Sequence, residues 1–78
     1  MPKLFEWRGW AFLFYSLDGP EPPHIHVRNG GKELKVWLED ISIARNRRCR
    51  AHEVSELLAV IRERRSEFLE RWHEHFGN

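Results

Sequence analysis

Two consecutive prolines lead straight into an alternating segment at Glu21-Pro22-Pro23-His24-Ile25-His26-Val27. This stretch constrains the fold more than any other. Proline has no amide hydrogen to give a helix interior, and it pushes the residue before it into extended backbone. The chain therefore leaves Pro23 extended. The polar–apolar alternation from His24 to Arg28 then predicts a strand with one buried face.

The flanking segments fit a small sheet around that strand. Trp10 to Tyr15 is apolar at both alternating sets of positions, which suits a strand covered on both sides, and Gly9 before it permits a bend. Trp7 is placed at the sheet end. Leu17 to Pro23 reads as a loop, with turn chemistry at Asp18-Gly19-Pro20. Asn29-Gly30-Gly31 is a hairpin signal, because these residues accept positive φ cheaply. Glu33 to Leu38 alternates again, with Leu34, Val36 and Leu38 on one side. Ile41 to Ala44 is a marginal fourth strand, and Arg45 to Arg50 a basic connector.

From Ala51 the apolar period becomes helical. Val54, Leu57, Leu58, Ile61, Phe68, Leu69, Trp72 and Phe76 share a stripe, opposite Glu56, Glu63, Glu67, Glu70 and Glu74. Arg65 interrupts that stripe. Either its stem lies along the sheet edge, or the helix breaks near Arg65-Ser66 with Ser66 as a new N-cap. No Gly or Pro lies there, so one helix of about 25 residues, ending at Gly77, is the expectation.

The predicted fold is α+β in a single domain over residues 1–78. It is a small, mostly antiparallel sheet of three or four strands followed by one long C-terminal helix packed on one face, in the order β-β-β-(β)-α. A chain of 78 residues builds only a small core, so an oligomer or partner is expected. Four Trp and five Phe help, since each ring buries a large area. The single cysteine, Cys49, excludes an internal disulfide and a cysteine-rich zinc knuckle. No secretory signal and no run of about 20 apolar residues is evident, so a cytoplasmic protein with no membrane segment is expected. The net charge of +1 decides nothing about nucleic acid; local clustering has to.

Strand alternation defines a second sheet face. If the helix covers Ile25, Val27, Leu34, Val36 and Leu38, then His24, His26, Arg28, Lys35 and Trp37 point the other way. One of two sets in the first strand joins them: Trp10, Phe12 and Phe14, or Ala11, Leu13 and Tyr15. Three readings of this face stay open. In a catalytic reading His24 and His26 act as general acid and base, Arg28 and Lys35 hold a phosphate, and Tyr15 or Trp37 stacks a base, as metal-independent RNA cleavage requires. In an interaction reading the same face is a partner or dimer surface, for which Trp and Arg are typical anchors.

In a metal reading His24 and His26 share an ion. A third ligand would have to come from Glu21, Glu33 or Asp18, none of which has ligand-like spacing. No metal ligand and no cofactor is therefore assigned. Arg45, Arg47, Arg48 and Arg50 place cations ahead of a helix N-terminus, where the macrodipole disfavours them, and so favour an acidic partner. Cys49 among them is a candidate for a lowered pKa. His73 and His75 lie about 200° apart on a helix and are read as surface residues.

The sequence resembles the DUF4160 family of small bacterial proteins. The resemblance rests on the opening Met1 to Trp7, on Phe12-Leu13-Phe14-Tyr15-Ser16, and on Glu21-Pro22-Pro23-His24-Ile25-His26-Val27. It extends to Lys35-Val36-Trp37-Leu38-Glu39 and the closing Glu70-Arg71-Trp72. The family's connector before the helix is usually less basic and tends to carry Gly, unlike Arg45 to Arg50 here. Genes of this family often lie beside a small DUF2442 gene. The resemblance thus implies a protein partner of that kind in a toxin–antitoxin-like pair, and it favours the ribonuclease-like reading without fixing that the chain is an enzyme.

Overall fold

The computed structural model describes residues 3–77; Met1 and Pro2, from the opening of the family resemblance, lie outside them. The fold is α+β, an antiparallel five-stranded sheet followed by two helices. The strands are β1 (Lys3–Trp7), β2 (Trp10–Leu13), β3 (His24–Asn29), β4 (Lys32–Trp37) and β5 (Ser42–Arg47), and the helices are α1 (Ala51–Glu63) and α2 (Arg65–Phe76). Each strand pairs antiparallel with the one before it, in the order β1-β2-β3-β4-β5.

Turn chemistry sets the registers. Arg8 (φ 49°) and Gly9 (φ 84°) both take left-handed backbone between Trp7 and its partner Trp10, as a two-residue hairpin turn matched to strand twist requires. Gly30 (φ 60°) does the same work between β3 and β4, where Asn29 faces Lys32 and the register continues through His26↔Lys35 to His24↔Trp37. Ile41 is a costlier exception. It is β-branched yet sits at φ 56°. Asp40 supports the bend by accepting hydrogen bonds from the Ser42 backbone N–H (3.2 Å) and hydroxyl (2.6 Å).

The sheet differs from the sequence expectation at its edges. Trp7 belongs to a full strand, β1, which brings Phe5 against Phe12 (ring centroids 5.4 Å apart). At the other edge β5 extends into the arginines, so that Lys35 faces Arg45 and Glu33 faces Arg47, with Ala44 bulged between Arg45 and Ile43. The ladder to β4 makes this basic stretch a strand, and charge is tolerated there because it discourages an edge from pairing with a second sheet.

The helical part also departs from the expected single rod. The break falls at Arg64 (φ −105°, ψ 14°), which ends α1 and starts α2. Neither proline nor glycine causes it. Arg65 Nε and Nη2 donate to the carbonyls of Leu38 (2.5 Å) and Glu39 (3.0 Å), tying the joint to the end of β4. The offset lets Leu57 and Ile61 of α1 and Phe68 and Trp72 of α2 all reach one core against a twisted sheet. Gly77 closes α2 in the left-handed conformation (φ 79°), its N–H donating to the His73 carbonyl.

Both helices lie over the face that carries Phe12, Ile25, Val27, Leu34 and Val36. Phe68 stacks on Phe12 at 5.8 Å, and Trp72 meets Phe14 edge-on at 5.1 Å. Ala11 and Leu13 of β2, with Tyr15 just beyond its end, are therefore the set that joins His26, Lys35 and Trp37 on the opposite face, with Leu13 opposite His26.

Candidate functional site

The second face is partly roofed by the loop between β2 and β3. Within it Ser16–Asp18 form one 3-10 turn. Asp18 Oδ2 accepts the Tyr15 N–H at 2.8 Å, which folds the turn back and aims the carboxylate at the histidines. The prolines then deliver the chain into β3, and the Pro23 carbonyl accepts the Leu38 N–H (3.0 Å) as an added rung beyond the β3–β4 ladder.

Both histidines lie beneath this loop. His24 is 0% exposed and His26 is 3% exposed. His24 Nδ1 donates to the Pro22 carbonyl at 2.8 Å; a carbonyl only accepts, so Nδ1 carries a proton. Its Nε2 lies 3.2 Å from Asp18 Oδ1 and has no hydrogen-bond partner. The His24 ring is wedged between Trp37 (5.4 Å), Trp72 (5.1 Å) and His26 (5.0 Å).

His26 has a carboxylate at each end. Nδ1 is 3.1 Å from Glu33 Oε2, and Nε2 is 3.1 Å and 3.3 Å from the two Asp18 oxygens. Tyr15 packs on the ring at 4.2 Å, and its hydroxyl donates to the same Glu33 oxygen at 3.3 Å. Among the described residues, Asp18, His24 and His26 bring one donor atom each within 4.8 Å of one another, so these three could hold a metal.

Outside this cluster the face is cationic. Arg28 is exposed. Lys35 Nζ lies 4.8 Å from the centre of the Trp37 ring and pairs with Glu21 at 2.7 Å. Arg45 Nη2 approaches Glu33 at 3.8 Å. The structure thus brings His24, His26, Tyr15, Lys35 and Trp37 together, leaves Arg28 at the rim, and adds Asp18 and Glu33. Cys49 departs from the sequence reading: burial, then Glu53, pushes its thiol pKa up, where a lowered one was expected. His73 and His75 are exposed, as expected.

The electrostatics give a pH signature. Burial pushes His26 below its ordinary value of 6.5, and the attraction of Asp18 and Glu33 does not restore it. For Asp18, burial alone acts upward, but the Tyr15 N–H and the two histidines outweigh it and hold the carboxyl below 3.8. In both cases the unfolded chain takes up protons before the folded one. Stability is therefore full above each unfolded value and is lost as pH falls through it. Denaturant midpoints should drop between about pH 7 and 5 through His26, and again below about pH 4 through Asp18. A midpoint that is flat between pH 7 and 5 would show that folding leaves the His26 pKa unshifted.

A family described as "Domain of unknown function (DUF4160)" matches residues 9–73, a span that takes in every residue of the site. The chain belongs to the DUF4160 family. No curated protein and no solved structure matches this DUF4160 chain. No helix among its described residues is long and apolar enough to cross a membrane.

Proposed function

We propose that this DUF4160 chain is the RNA-directed member of a toxin–antitoxin-like pair, and that it binds single-stranded RNA on the helix-free sheet face. The observation that carries the reading is the grouping of Arg28, Lys35 over Trp37, Arg45 and Arg47 on and around a face that the helices leave open. Cations along a strand ladder follow a phosphate backbone, and an indole offers a stacking surface for any base. The reading is one of binding. His24 and His26 are buried beneath the 3-10 turn, so as acid and base they would meet a phosphate only after Asp18 had swung away.

The test is fluorescence anisotropy with a labelled single-stranded RNA over a salt series. The triple variant Arg28→Ala/Arg45→Ala/Arg47→Ala should lose about tenfold or more in affinity. Its plot of log affinity against log salt should be shallower by about 2, since each phosphate contact to a single strand contributes about 0.7. No binding by the unaltered protein at low salt would end the proposal.

A second reading, a protein partner on the same surface, is favoured by Leu17, which stands 89% exposed on the turn beside the site. It would be supported if the DUF2442-like neighbour co-purified in a stoichiometric complex that the same triple variant abolished, with no RNA bound.

A further inference from the structure

Among the described residues, the feature least explained by the fold alone is the unpartnered Nε2 of His24, fully buried and aimed at a carboxylate. In a neutral His24 ring whose one proton is on Nδ1, the Nε2 lone pair lies 3.2 Å from a carboxylate oxygen, two electron-rich atoms side by side. Burial makes that costly, because no water screens the pair. The contact becomes favourable if a cation lies between them.

We propose that Asp18, His24 and His26 form a site for one divalent first-row transition ion of the zinc class. Three features carry it. First, the donor set suits such an ion: two neutral imidazole nitrogens and one carboxylate oxygen. Second, two of the three spacings are those of a coordination shell, and all three donor atoms lie within 4.8 Å of one another. Ligand atoms about 2.0–2.1 Å from a tetrahedral ion lie roughly 3.3 Å from each other. His24 Nε2 is 3.2 Å from Asp18 Oδ1, and His26 Nε2 is 3.3 Å from the same oxygen.

Third, the outer shell is in place. His24 gives its Nδ1 proton to the Pro22 carbonyl, and His26 places Nδ1 on the Glu33 carboxylate. Metal-bound histidines are held by backbone carbonyls and carboxylates in this way, with the opposite nitrogen facing the ion. Three protein donors leave one position of a tetrahedral shell for water or an added ligand. An ion here would also lock the 3-10 turn onto the sheet. The site is distinct from the cationic face, so failure of RNA binding would leave it standing.

The test titrates Zn2+ and Co2+ into the full chain after chelator dialysis. One Zn2+ should bind per chain, and Co2+ should give the visible absorption of a low-symmetry, four- or five-coordinate ion. His24→Gln and Asp18→Asn should abolish that one-to-one binding. His73→Ala/His75→Ala should leave it unchanged, and Glu33→Gln should weaken it by about ten- to a hundredfold. Imidazole nitrogen resonances of the unaltered chain give a readout that needs no variant to fold. On adding Zn2+, His24 and His26 should report a metal at Nε2 with the proton kept on Nδ1. Absence of stoichiometric binding, or an ion found on any other histidines, overturns the proposal.

Discussion

Replacing Trp72 by alanine should leave the protein largely unfolded at ordinary temperature. Trp72 is 1% exposed and touches three rings: Phe76 at 4.2 Å, Phe14 at 5.1 Å and His24 at 5.1 Å. It therefore joins the end of α2 to the segment just after β2 and to the first residue of β3. Removing a buried tryptophan costs about 3–5 kcal/mol. A domain of this size holds only about that much in total. Far-UV circular dichroism and a thermal melt check it. A fall in Tm of less than about 10 °C, for a domain in which each kcal/mol is worth about 4–8 °C, would show that the site end of the core does not depend on this ring. Trp72→Phe should recover most of the loss, since an aromatic ring still faces Phe14.

The second large effect should come from His26→Ala. The ring lies between two carboxylates whose side chains are each 12% exposed. Taking it away leaves Asp18 and Glu33 facing a void, each deprived of a buried partner, which costs about 2–4 kcal/mol. Tyr15 also loses the ring it packs on. His26→Gln should cost clearly less, because its amide still offers a polar group toward one carboxylate. Equal losses for the two variants, measured by urea denaturation, would mean that ring packing rather than the polar contacts holds this site. A loss below about 0.5 kcal/mol for alanine, the range of an exposed surface change, would remove His26 from the framework altogether.

The interior of the sheet was readable in the sequence because its signals are local. Asn29-Gly30 fixed the β3–β4 turn, and alternation from His24 to Leu38 assigned the faces. The helical stripe identified Leu57, Ile61, Phe68 and Trp72, all of which are buried. The edges were harder to see. β5 is a strand through its ladder to β4, while its residues are those of a solvated loop. The helix break was harder still. It is set by Arg65 reaching the carbonyls of Leu38 and Glu39 across the fold, a contact that no helical period encodes.

The candidate site divides along the same line. His24 and His26 stood out as an alternating pair. Glu33 was within reach of the same reasoning, since the hairpin register places it diagonally across from His26 on one face. Asp18 was not. Its position depends on a loop that folds back through a single bond from the Tyr15 N–H, and spacing along the chain says nothing of that.

The strand order has a kinetic consequence. In this meander every strand meets the strand made just before it, so each ladder forms by closing a short loop at little entropic cost. Such a sheet should zip up quickly for a β-rich protein. The slow closures are those that join distant parts of the chain, Phe68 onto Phe12 and Trp72 onto Phe14. Until they form, the strands present an apolar face to water. Docking of α2 covers that face, so the speed of that docking should set how long a nascent sheet stays open to aggregation.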